Sequence, residues 1–73
     1  MLEKVYTSNA PAAIGPYSQA IIAGNFLYCS GQIAINPETD EFLNSNIEEQ
    51  TTLVMQNINA LLFEAGFSFD DVI

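Results

Sequence analysis

The sequence predicts an α+β fold, and three observations carry that prediction. Two strand-like runs, Tyr17 to Ala23 and Phe26 to Ile35, flank the dipeptide Gly24-Asn25. Gly followed by Asn is a two-residue hairpin loop of type II′ or I′. Further on, apolar residues recur at helical spacing between Ile47 and Ala65. With 73 residues and 49% hydrophobic content, the composition is that of one globular domain.

Taken in order, Lys4 to Thr7 reads as a short first strand that stops at the turn cluster Ser8-Asn9-Ala10-Pro11. Ala12 to Pro16 is small and proline-limited, hence a loop. The hairpin follows. Asn36-Pro37-Glu38-Thr39-Asp40 is a turn, and Glu41-Phe42-Leu43 a short edge segment. The helix is expected over about 46–65. Asn46 caps it, Glu49 closes a capping-box-like arrangement, and Glu48 and Glu49 suit the positive end of the dipole. Its buried stripe is Ile47, Val54, Ile58, Leu61, Leu62 and Ala65, and Gly66 stands where a left-handed C′ residue belongs. Asp70 and Asp71 read as turn residues after Ser68. Val72-Ile73 resembles the opening of another buried strand. The expectation is therefore a single domain over 1–73, truncated after its first long helix.

Size and charge bound what such a chain does. A domain near this length buries only about 60% of the surface its unfolded chain exposes. Disulfides, metals or oligomerisation usually compensate. Cys29 is the only cysteine and there is no histidine, so no internal disulfide forms and the common zinc sets are out of reach. No metal and no cofactor is expected. Oligomerisation remains. One Lys against nine Asp and Glu gives a net charge of −8, which repels nucleic acids and anionic membranes. The start, Met1-Leu2-Glu3-Lys4, lacks the pattern of a secretory signal, and a soluble cytoplasmic protein is expected.

The hairpin register assigns faces. If Gly24-Asn25 is the loop, Ala23 pairs with Phe26, Ile21 with Tyr28, Gln19 with Ser30 and Tyr17 with Gln32; these share one face. The opposite face holds Ala20, Ile22, Leu27, Cys29, Gly31 and Ile33, small and apolar enough to receive the helix. The first face is apolar near the turn and polar at its far end. Left bare, it would expose Phe26, Ile21 and Tyr28, the pattern of an interface. A homo-oligomer is expected, with a polar pocket of Tyr17, Gln19, Ser30 and Gln32 at the rim.

Other chemistries are weaker. Without histidine, Ser-His-Asp and Cys-His sites are excluded within this chain. Cys29 reads as a buried small hydrophobe. Glu38, Asp40 and Glu41 read as solvated turn residues rather than a cation site. Phe63 lies off the buried stripe, among Thr52, Gln56 and Asn59, and either stands exposed or, with Phe67, forms a further contact surface.

The segments around the hairpin also resemble a known family. Ser8-Asn9-Ala10-Pro11, Ile14-Gly15-Pro16-Tyr17-Ser18-Gln19-Ala20 and Tyr28-Cys29-Ser30-Gly31-Gln32-Ile33 are similar to the N-terminal half of the RidA/YjgF family. Asn36-Pro37-Glu38-Thr39, Glu48-Glu49-Gln50-Thr51, Asn57 through Gly66 and Asp70-Asp71-Val72 continue the likeness without gaps. It implies a chorismate-mutase-like fold assembled as a trimer, with sheets inside, helices outside and sites between subunits. It implies a 2-iminobutanoate/2-iminopropanoate deaminase, hydrolysing 2-imino and 2-enamino acids to 2-keto acids and ammonia without a cofactor. Tyr17 would wall the pocket, and Ser30 and Gly31 would contact the substrate. The resemblance assigns no catalytic residue within this chain. The family's carboxylate-binding arginine and its acidic, water-positioning residue lie beyond these residues, and nothing in the sequence brings Lys4, the only side-chain cation, to the substrate. The competing expectation is a catalytically incomplete fragment, or a non-catalytic relative that binds small acids or pairs with other subunits.

Overall fold

The chain forms a three-stranded antiparallel sheet backed by one long helix, in a computed structural model that describes residues 2–73. The strands are β1 (Leu2–Val5), β2 (Ala20–Ala23) and β3 (Phe26–Cys29), in the order β1-β2-β3. The hairpin register is the expected one, with Ala23 opposite Phe26 and Ile21 opposite Tyr28. Gly24 takes φ 61 while Asn25 stays outside the positive region, which selects the type II′ turn.

The strands are shorter than the apolar pattern predicts, and the first is shifted. β1 covers Leu2–Val5 rather than 4–7. The ladder continues only as far as Ser30 N–H donating to Gln19 O at 3.0 Å, and Tyr17 does not pair with Gln32. Side-chain bonds end it. Ser30 Oγ donates to the Ser18 carbonyl, which removes that acceptor from the ladder. Beyond Gly31 the chain is drawn under the helix, where Asn57 Nδ2 donates to Ile33 O at 3.2 Å and Ile35 O at 3.0 Å. A small bridge, Ile35 opposite Phe42, then closes the Asn36–Asp40 turn, in which Asp40 adopts φ 59. Asp is among the residues that tolerate this region.

The helix α1 runs Ile47–Ala65 with Asn46 as its cap. Glu49 N–H donates to Asn46 Oδ1 at 2.9 Å. The Glu49 carboxylate accepts from the Asn46 side-chain amide and the Ser45 hydroxyl, not from the Asn46 backbone as in the reciprocal box. At the other end Gly66 (φ 82) donates to Phe63 O and Phe67 to Leu62 O, the paired bonds of a Schellman motif. Ser68 then caps a single 3₁₀ turn, Phe69–Asp71, as expected for Asp70 and Asp71. Val72 and Ile73 are exposed and join no strand.

The core lies where α1 crosses β1 and β2. Val5, Ala10, Ala20 and Leu61 form it, with Ile22, Leu27, Ala60 and Ala65 packed around them. The expected helix-facing side of the hairpin is thus correct for Ala20, Ile22 and Leu27. One position of the helix stripe is corrected, and one buried residue lies outside the expected stripe. Ile47, at the first position of α1, is exposed. Asn57 is buried, because its carboxamide holds the departing Ile33–Ile35 segment.

Gln19 is the second correction of consequence. It was expected on the bare face, yet it is 4% exposed. Its Oε1 accepts from Thr7 N–H at 2.7 Å, and its Nε2 donates to Thr7 O, Ala10 O and Pro11 O. One side chain thereby satisfies four backbone groups of the loop that joins β1 to β2. Replacing it with leucine strands these groups, each at about 1–3 kcal/mol when buried. We expect Gln19→Leu to lower stability by at least about 3 kcal/mol, read as a fall in the urea midpoint, with a change below 1 kcal/mol contradicting this role.

Candidate functional site

The face of the sheet turned away from α1 carries two adjoining cross-strand rows. Lys4, Ile21 and Tyr28 align in one, and Leu2, Ala23 and Phe26 in the other. Phe26 and Tyr28 are 55% and 62% exposed, with ring centroids 6.3 Å apart, so this face is apolar and bare in the single chain. Beside it the Gly15–Ser18 loop rises from the entry to β2. Gly15 takes φ 82, and its missing Cβ would meet the Tyr17 ring at 3.7 Å. The left-handed backbone turns the chain so that Tyr17, 72% exposed, stands over the edge of the sheet.

Between loop and sheet is an open hollow of 770 Å³. Tyr17 and Ser18 form one wall, Ser30 and Tyr28 the other, and Ile21 lies between them. Ser30 Oγ uses its proton on the Ser18 carbonyl, so its lone pairs face outward as acceptors. Of the expected site residues, Tyr17 and Ser30 come together here. Gly31, next to Ser30, lines an apolar trough on the helix side of β3, which shares Tyr28, Cys29 and Ser30 with the hollow. Gln32 also lines that trough, and Gln19 is turned into the N-terminal loop.

Sequence reasoning named Lys4 and set it aside. Its pairing opposite Ile21 brings it into the hollow, where among the described residues it is the one charged side chain and no Asp or Glu joins it. The signal lay in the register of β1 against β2, which cannot be read until the shift of β1 is known.

The trough has a volume of 620 Å³ and follows the unpaired edge of β3, lined by Leu27, Ile58, Leu62, Phe67, Val72 and Ile73. Cys29 opens onto it and is exposed, contrary to the expected buried position. The core gathers over β1 and β2, and Cys29, at the end of the edge strand, lies past its cover. Partial desolvation raises the thiol above its ordinary pKa. Phe63 is 82% exposed on the opposite side of α1. Among the described residues no group of His, Cys, Asp and Glu could hold a metal, and no helix is long and apolar enough to cross a membrane.

Comparison with known proteins gives this geometry a family. Residues 7–73 match the family model described as Endoribonuclease L-PSP. The chain belongs to that family, the Rid/RutC group of proteins. A RutC family protein of Pyrococcus horikoshii is 55% identical over 73 residues, covering all of this chain and 58% of the relative. The chloroplastic Reactive Intermediate Deaminase A of Arabidopsis thaliana is 42% identical over 71 residues, covering 97% of this chain and 38% of that protein. Two solved structures superpose closely. A Rid family protein from Yersinia pestis has TM-score 0.93 at 50% identity, covering 96% of this chain and 56% of that one. A Thermotoga maritima protein titled a putative endoribonuclease has TM-score 0.95 at 51% identity, with 97% and 56% covered. The α+β, chorismate-mutase-like Rid fold is thus established for these residues, and the chain spans little more than half the length of the first of these relatives.

The position of Cys29 has a measurable consequence. We expect iodoacetamide to alkylate it without denaturant, with a pH midpoint above that of a cysteine in a short peptide, since only the thiolate reacts. A midpoint at or below the peptide value contradicts the desolvated setting.

Proposed function

We propose that this chain is the N-terminal part of a 2-imino acid deaminase whose site forms around Tyr17 and Ser30. The observation that carries the reading is the hollow itself. The fold brings a tyrosine ring and a hydroxyl acceptor together on a bare sheet face, in a family that includes a protein named Reactive Intermediate Deaminase A. The chemistry asks little of the protein. Water adds to the electrophilic imine carbon, the C–N bond then breaks, and ammonia and a 2-keto acid leave. Ser30 Oγ accepts a hydrogen bond from the imine N–H or from the attacking water, and Tyr17 walls the hollow and limits competing solvent. Gly31, on the far side of β3, would act on the substrate only through its backbone.

The bare face supports assembly. A patch holding Phe26, Tyr28 and Leu2 is covered when neighbouring subunits pack sheet to sheet, and the proposed trimer would complete each hollow with residues of another subunit. The ligands are small 2-imino and 2-enamino acids. An endoribonuclease reading follows the family description, but a charge of −8 and the lack of histidine in these residues oppose RNA binding. The cytoplasm is the proposed compartment, although the plant relative is named chloroplastic.

The test is acceleration of 2-ketobutanoate release from enzymatically generated 2-iminobutanoate by the intact polypeptide. We expect Ser30→Ala to cut kcat/KM about tenfold, the loss of one hydrogen bond at the reacting centre, with the circular dichroism spectrum unchanged. No acceleration by the unsubstituted protein overturns the deaminase reading and leaves a binding or subunit-pairing role.

A further inference from the structure

The hydroxyl that the hollow offers as an acceptor has few supports of its own. Ser30 is exposed and lies one residue past the end of β3, on the last rung of the ladder. Two bonds tie it across the sheet. Its N–H donates to Gln19 O at 3.0 Å, and its Oγ donates to the Ser18 carbonyl. A third bond, from Gln32 Nε2 to Ser30 O at 3.2 Å, reaches only two residues along the same segment and fixes nothing against β2. Terminal rungs fray, and a serine side chain released from its partner samples three staggered positions. The orientation of Ser30 therefore depends on how firmly residues 18 and 19 are held.

The Gln19 side chain holds them. It accepts from Thr7 N–H at 2.7 Å and donates to Thr7 O, Ala10 O and Pro11 O at 3.0, 3.2 and 2.8 Å. Gln19, Thr7 and Ala10 are all buried, so water does not compete for these bonds. Stapling the N-terminal loop requires only the carboxamide. Here the backbone carbonyl of the same residue also receives the Ser30 N–H, and the Ser18–Gln19 peptide receives the Ser30 hydroxyl.

We propose that Gln19 is a positioning residue for Ser30, fixing its hydroxyl through the Ser18–Gln19 peptide. This deepens the deaminase reading and rests on it for the reaction, but not for the coupling of the two residues. Gln19 touches no substrate and takes no part in the bond changes.

The coupling is read first in the intact parent, by hydrogen exchange followed by NMR. The Gln19 carboxamide and the Ser30 N–H should show protection factors within about threefold of each other, because one opening releases both. A freely exchanging Ser30 N–H beside a protected Gln19 carboxamide overturns the proposal. Turnover is read in Gln19→Glu, which keeps the side-chain length and the Thr7 N–H bond but brings a carboxylate to three carbonyls. We expect kcat/KM for 2-iminobutanoate to fall about fivefold, less than the loss of about tenfold from Ser30→Ala. The double variant should stay within about twofold of Ser30→Ala alone, since an absent hydroxyl cannot be misplaced. Losses that multiply overturn the proposal, because a merely structural role acts without regard to Ser30. Where Gln19→Glu does not fold, the exchange data on the parent decide. Matched protection in a parent that shows no turnover sinks the deaminase reading alone. Turnover with unmatched protection or multiplying losses sinks the Gln19 role alone.

Discussion

The Gln19 carboxamide occupies a position on which most of the other geometry depends. It reaches from the start of β2 to Thr7, Ala10 and Pro11 and satisfies both ends of a segment that has no ladder of its own. Among these residues the core is small, and a loop held only by apolar contacts would be loose. Here its backbone groups are bonded to a side chain that is itself buried. With that loop fixed, Ala10 packs beside Val5, Ala20 and Leu61, and the Gly15–Ser18 turn that follows stands at a set height above the sheet. Asn57 repeats the device from the helix, binding the backbone of Ile33 and Ile35. Two neutral amides thus do the work that disulfides or metals perform in many small domains.

The same economy explains why the sheet has two unlike sides. One helix covers one face, over β1 and β2. The other face keeps Leu2, Phe26 and Tyr28 in water, and β3 keeps an unpaired edge beside an apolar trough. A polar hollow at the margin of an apolar face becomes an enclosed site once another surface closes over it, and closure strengthens every charge interaction inside.

Much of the fold was legible in the residues. Gly24-Asn25 set the hairpin and its register, because only a two-residue primed turn matches the twist of the strands. Asn46, Glu49 and Gly66 marked the ends of the helix through backbone groups that a helix must leave unpaired. Of the candidate site, Tyr17 and Ser30 line one hollow, whereas Gly31 and Gln32 line the adjoining trough, which Ser30 also borders. Cys29 was misread because alternation assigns a face without saying how far the helix extends over it.

Local chemistry therefore determined the elements, their caps and the hairpin pairing, since each depends on neighbours a few residues away. The tertiary structure decided where Gln19, Asn57, Cys29 and Lys4 go. Their partners lie 8–24 residues distant for the two amides, and on a neighbouring strand for Lys4. Both amides are polar residues at positions whose pattern suggests either water or core, and only the closed chain shows which backbone groups need them. The expected hairpin register and helix stand, on strands shorter than the pattern predicts, and the place of Lys4 in the hollow depends on a β1 register that no local pattern shows.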